Sequence, residues 1–228
     1  MSLGWPRNTW GRIPRERKRR WKKRRRKRKR KRKRKRNRNR GRNMERHPDL
    51  ATASDSVLIV IDPQEKLVRM IHNREEVEKN IEMLLSFASI FALPIVLTEH
   101  YPKGLGHTVE NIRERLPVYQ PIEKRIFSCF GVPEFDEALR ATGRTRLVVC
   151  GIETHICVEQ TVLDALHRRY RVLVIADAAG TRFEKDHRVG LERMRRAGAI
   201  VTTTEAVMYE IAERAEGERF KRLLDLVK

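Results

Sequence analysis

The chain has 228 residues, with 52 Lys and Arg against 30 Asp and Glu, a formal charge of +22. No apolar run approaches the roughly 18 to 20 residues of a membrane span, and no apolar stretch follows the early charges as an export signal requires, so a cytoplasmic protein without a membrane segment is expected. Its cysteines, Cys129, Cys150 and Cys157, are odd in number and lack framework spacing, which fits a reducing compartment better than a disulfide scaffold.

The positive charge is confined to one stretch. Residues 1–43 hold 25 Lys and Arg against a single acid, Glu16, which leaves 27 basic and 29 acidic residues in 44–228. A nucleic-acid-binding domain carries basic residues on its folded surface, so the body does not read as one. The tail has few apolar residues beyond Leu3, Trp5, Trp10, Ile13 and Trp21, too few to offset the entropy of ordering, and is expected to be disordered. Its run "WKKRRRKRKRKRKRKRNRNRGR" at 21–42 would attract polyanions by counterion release, without sequence preference. Met44 permits another reading, in which the protein starts there and the upstream stretch is an over-extended reading frame. The body, 44–228, is long enough for one domain with a sizeable core.

The body alternates between two periodicities. "SVLIVID" (56–62) is a continuous β-branched run of the kind buried on both faces of a sheet. From Arg74 to Phe91, Val77, Ile81, Leu84, Leu85, Ala88 and Phe91 recur at helical spacing, and "LPIVLTEH" (93–100) restores strand character. An irregular stretch runs to about 121, followed by a short apolar piece, "KRIFSCF". A helix is predicted from Pro133 to Ala141, a strand at "TRLVVCG" (145–151), a helix from His155 to Arg168 and a strand at "YRVLVIAD" (170–177). A helix near 186–197, a strand at "AIVTTT" (199–204) and two short helices complete the chain. This alternation predicts an α/β protein: a three-layer α/β/α Rossmann-like fold with a mainly parallel sheet of six strands. No internal repeat or internal linker is evident.

Ligands of such sheets bind beyond the carboxyl ends of the strands, which singles out Asp62, Lys124 and Cys157. Taken alone, Asp62 could cap the turn before Pro63, and Lys124 could be an ordinary surface lysine. Cys157, in "GIETHICV", falls in the first turn of a helix with Thr154 as its N-cap, where free N–H groups and a nearby lysine would favour a thiolate. It is either an activated nucleophile or a small buried hydrophobe, and the latter reading is assigned to Cys129 and Cys150.

The segments "VLIVIDPQEKLV", "TEHYPKGLG", "EKRIFSCF", "VVCGIETHICVEQTVLDAL" and "VIADAAGTRFEKDHRVGLERMRRAGAIVTTTEAVMYE" resemble, in order and spacing, the isochorismatase-like cysteine hydrolases, the superfamily of nicotinamidase and carbamoylsarcosine amidohydrolase. The resemblance covers about 55–215 and none of the tail. It implies an Asp-Lys-Cys triad at Asp62, Lys124 and Cys157 that cleaves the C–N bond of a small amide through a covalent intermediate on Cys157. It also implies a cis peptide between Ile152 and Glu153, with the Glu153 and Cys157 amides as oxyanion donors, and a homo-oligomeric assembly.

The sequence departs from nicotinamidase where that enzyme carries its metal-binding Asp-x-His segment. Here "TEHYPKGLGHT" has His100 at the aspartate position and Pro102 at the first histidine position. His100 and His107 fall short of the usual three protein ligands, so no metal and no other cofactor is expected. The details "KGLG", "FSCF" and "DH" are closer to isochorismatase-domain hydrolases of unsettled substrate. Tyr101, Phe127, His155 and Ile156 flank the triad as candidate pocket residues. His155 is not assigned as the base, because adjacent helical residues do not share a face with the nucleophile. A rival reading makes the body a scaffold for a polyanion-binding tail.

Overall fold

The computed structural model describes residues 46–228. The polybasic tail and Met44 lie outside the described residues, and with them the expectations of disorder and polyanion contact. Six strands form one sheet: β1 (Ser56–Ile61), β2 (Ile95–His100), β3 (Ile122–Lys124), β4 (Arg146–Ile152), β5 (Arg171–Gly180) and β6 (Ile200–Thr202). Their order is β3-β2-β1-β4-β5-β6, and every pairing is parallel.

Helices cover both faces, and the alternation along β1 shows how. Leu58 and Val60 face a layer made by α1 (Arg74–Phe91), α5 (Thr204–Ala212) and α6 (Glu218–Val227), through Val77, Ile81, Leu85, Met208 and Leu223. Val57, Ile59 and Ile61 face α2 (Pro133–Thr142), α3 (Glu159–His167) and α4 (Glu184–Arg196), through Phe135, Leu139, Val162 and Met194. All six residues of β1 are buried, which is why its sequence reads as an unbroken apolar run. α1 stops at Ala92, which takes the left-handed conformation (φ 56°), and α2 starts on Pro133 and ends on left-handed Gly143.

The predicted order of strands and helices is found, with shifted ends. The third strand falls at Ile122–Lys124 and shares only Lys124 with the apolar piece "KRIFSCF", because its place is fixed by pairing with β2, Lys124 opposite His100. β5 runs on to Gly180, beyond an irregularity in its register with β4 between Val149 and Gly151. The irregular stretch contains two short helical turns, Pro102–Leu105 and Glu110–Arg113.

The end of the sheet remote from the strand carboxyl termini is fastened by Arg146, which is 1% exposed. Its Nη1 and Nη2 donate to the carbonyls of Asp49 and Pro48 at 2.8 and 2.7 Å, and its Nε lies 3.2 Å from Asp55 Oδ2. Arg146→Met would fill similar space but remove these three bonds from the buried end of the sheet. The expected loss is about 2–4 kcal/mol, read as a lower urea midpoint with an unchanged slope.

Candidate active site

β1, β2, β3 and β4 end side by side, and the chain turns away from each with a polar residue at the edge. Asp62 follows β1 in the left-handed region (φ 48°) and is fully buried. Backbone conformations of that kind in non-glycine residues cluster at functional sites. β4 approaches β1 closely here. Gly151 has φ 122°, and a Cβ on it would lie 2.1 Å from the carbonyl oxygen of Ile61, so only glycine fits.

The three triad candidates converge. Lys124 Nζ lies 2.6 Å from Asp62 Oδ2, with both side chains wholly excluded from solvent. The ammonium also donates to the Phe127 carbonyl at 3.1 Å, and Thr98 Oγ1 donates to the other Asp62 oxygen at 2.7 Å. The Cys157 sulfur, an Asp62 carboxylate oxygen and a ring nitrogen of His100 all lie within 4.8 Å of one another. Burial works against the Lys124 charge, but the Asp62 carboxylate outweighs it and holds the ammonium above its ordinary pKa.

Cys157 sits in a π-turn, Thr154–Val158, that leads into α3. Thr161 Oγ1 reaches back to the Cys157 carbonyl at 2.7 Å and accepts from the Cys129 amide at 3.0 Å, which fixes the turn from below. The peptide between Ile152 and Glu153 is cis. Two expectations are corrected. Thr154 makes no capping bond, since its Oγ1 pairs with His187 Nδ1 at 2.9 Å. The Cys157 thiol is pushed up and not down, first by burial and then by the facing Asp62 carboxylate, with Lys124 opposing. The resting residue is therefore a thiol whose proton faces a carboxylate. Alkylation of the free protein by iodoacetamide should accelerate steadily with pH, by roughly tenfold per unit above neutrality, without a plateau near pH 7. Peptide mass mapping at Cys157 measures this.

The candidate pocket residues divide into two groups. Phe127 is half-exposed and stacks on His100, centroids 5.6 Å apart, and Tyr101 lies half-exposed under the Arg125 guanidinium at 4.6 Å. Tyr101 is also left-handed (φ 42°). His155, by contrast, is committed to Thr181 Oγ1 at 2.9 Å and faces Asp186 at 3.9 Å, while Ile156 packs against the apolar layer that contains α2 and α3. Glu153 accepts bonds from Thr181 Oγ1 and from the backbone and Nε of Arg182, which overcome its burial and keep it ionised.

His107 Nδ1 lies 3.0 Å from Glu99 Oε2 and its ring is 61% exposed, while Pro102 stands at the first histidine position of the nicotinamidase segment. Sequence reasoning missed two buried organisers. Gln64 donates to the carbonyls of His100 and Gly106 and accepts from the His100 amide at 2.6 Å. Glu99 accepts from the Thr108 amide and hydroxyl at 2.7 Å and from Tyr119 at 2.5 Å. Together they pin the irregular stretch against the site. For Glu99 a signal was present: Thr98 and Glu99 place polar side chains on both faces of β2 straight after the apolar Ile95, Val96 and Leu97.

These features define a class, the three-layer α/β/α protein with a polar site beyond the strand carboxyl ends. The isochorismatase domain model matches residues 56–206. Isochorismatase domain-containing protein 2 of Bos taurus is 37% identical over 174 residues, 76% of this chain and 83% of that protein. The structure of MAR1 ribonuclease from Caenorhabditis elegans is 35% identical with a TM-score of 0.73, covering 78% of this chain and 91% of that one. YcaC from Pseudomonas aeruginosa, with hexane-2,5-diol and covalent acrylamide, is 26% identical with a TM-score of 0.74, covering 80% and 93%. The chain belongs to the isochorismatase family, whose members are hydrolases.

Proposed function

We propose that the protein is a cysteine hydrolase that cleaves the C–N bond of a small amide, with Cys157 as nucleophile, Asp62 as proton carrier and Lys124 as electrostatic partner. The observation that carries this is the buried Asp62–Lys124 pair with the Cys157 sulfur beside it. A carboxylate fixed by a lysine and a hydroxyl is a poised acceptor for a thiol proton. In the first half-reaction the proton passes from Cys157 to Asp62 while sulfur bonds to the carbonyl carbon. The C–N bond then breaks, and the proton leaves on the amine, giving a thioester on Cys157. In the second, Asp62 takes a proton from water, the hydroxyl displaces sulfur, and the acid departs as the thiol is restored. The Glu153 and Cys157 amides are the proposed donors to the oxyanion.

Support comes from the neighbouring YcaC structure, in which an acrylamide is covalently held. Half-exposed Tyr101 and Phe127 serve as the pocket mouth in this reading. No cofactor takes part, and half-exposed Tyr101, Ile126 and Phe127 offer apolar surface for a homo-oligomeric contact. Among the described residues no helix is long and apolar enough to cross a membrane, and all three cysteines are free and buried, which supports a reducing, cytoplasmic setting.

Incubation of the full chain with a panel of small amides tests the reading. The expected result is ammonia release from at least one, with a mass increase on Cys157 when the reaction is stopped early. No ammonia and no Cys157 adduct across the panel would overturn it.

A second reading is favoured by the 25 basic residues of 1–43: nonspecific RNA association through the tail. It predicts RNA affinity falling steeply with salt in the full chain and absent from a chain starting at Met44. Equal binding by both would remove the tail as the determinant.

A further inference from the structure

We propose that Asp62, His100 and Cys157 form a reversible binding site for a zinc-type divalent ion that silences the nucleophile. Among the described residues they are the one group of three His, Cys, Asp or Glu side chains whose ligand atoms lie within 4.8 Å of one another. Four-coordinate zinc holds its ligands at about 2.0–2.3 Å, so neighbouring ligand atoms sit roughly 3.3–3.8 Å apart. Side-chain rotations that draw the three atoms together by about 1 Å would meet that requirement. One sulfur, one imidazole nitrogen and one carboxylate oxygen, with water in the fourth position, make a donor set suited to zinc and poorly suited to magnesium or calcium.

A second observation concerns the same imidazole. His100 Nδ1 is buried and has no hydrogen-bond partner among the described residues. A buried imidazole nitrogen left unsatisfied is costly, and a metal is a partner that relieves the cost. The ring also stacks on Phe127, and its backbone is bonded in both directions by Gln64, which limits its freedom to leave this place.

The site differs from the Asp-x-His arrangement of nicotinamidase, because it recruits the proposed nucleophile and proton carrier themselves. Lys124 works against the ion. Its ammonium occupies Asp62 Oδ2 at 2.6 Å, and Thr98 takes Oδ1, so the metal must share the carboxylate with both. That competition makes the site an inhibitory one and not a permanent structural one. The binding step balances without redox change: the Cys157 S–H bond breaks, a sulfur–metal bond forms, and one proton passes to solvent. Affinity therefore rises with pH. Metal capture itself is independent of the hydrolase reading; only its inhibitory consequence rests on that reading.

The test is titration of the full chain with cobalt(II) under anaerobic conditions, followed by the near-ultraviolet absorption of a thiolate–cobalt bond. One equivalent is expected in the wild type, with full displacement by zinc. Cys157→Ser should abolish the band, His100→Gln should weaken binding at least tenfold, and Cys129→Ser should leave it unchanged. Zinc should also block iodoacetamide labelling of Cys157, and a chelator should restore it. Absence of the band in the folded wild type, its persistence in Cys157→Ser, or undiminished affinity in His100→Gln would each overturn the site. Because absorbance reports binding without turnover, loss of the hydrolase reading in the amide panel would leave this result standing, and the reverse holds too.

Discussion

Cys157→Ala is expected to lower ammonia release by at least about 10⁴-fold while leaving the thermal midpoint within a few degrees of wild type. The side chain is small, and the turn that carries it is held by bonds to its backbone from Thr161 and not through its sulfur. Removing the sulfur therefore deletes the proposed covalent route and little else. Steady-state assay with the best amide from the panel, beside a melting curve, measures both halves. Activity retained within tenfold of wild type would show that sulfur forms no bond with substrate.

The second large effect concerns Lys124→Met. Asp62 would then be a buried carboxylate with only the Thr98 hydroxyl and the Cys157 thiol beside it and no opposing charge, an arrangement that costs about 3–5 kcal/mol relative to the intact pair. The lone carboxyl would take up a proton and lose its capacity to accept one from Cys157, so turnover should fall by roughly 10²–10⁴-fold as well. The double variant Asp62→Asn with Lys124→Met separates the two consequences. With neither charge left to bury, most of the lost stability should return, whereas activity should stay lost. Urea denaturation of the single and double variants gives the stabilities, and a double variant no more stable than Lys124→Met would show that the cost of the single change was packing and not charge.

Much of the architecture was legible because burial on both faces writes itself into sequence. β1, β4 and the start of β5 are central strands and read as apolar runs, and α1 was located to the residue because its apolar stripe is complete. β3 was given no bounds by the sequence, which showed only a short apolar piece there, because a three-residue edge strand has no pattern of its own and its position is decided by the neighbour it pairs with. The triad candidates were visible as polar residues at strand ends. The local chemistry around them was not, since Thr154 could act as a cap only if the chain began an ordinary α-helix, and it begins a π-turn instead. The sign of the Cys157 shift was likewise hidden. A thiol beside a lysine is acidified in the open, whereas here burial and a carboxylate 95 residues earlier in the chain prevail.

The sheet ends on each side in a strand of only three residues, β3 and β6, and of the two only β3 carries a residue of the reactive cluster. Open sheet edges invite pairing with other chains, and short edge strands limit that risk. Lys124 is the last residue of β3, with its carbonyl accepting from the Tyr101 amide and its ammonium on Asp62. Peeling β3 away would uncover β2 to intermolecular pairing and would break the acid–lysine contact in the same movement. Molecules able to hydrolyse substrate would thus be the ones whose edge is closed, and the first aggregation-competent opening of this sheet would register as lost activity before it registered as lost solubility.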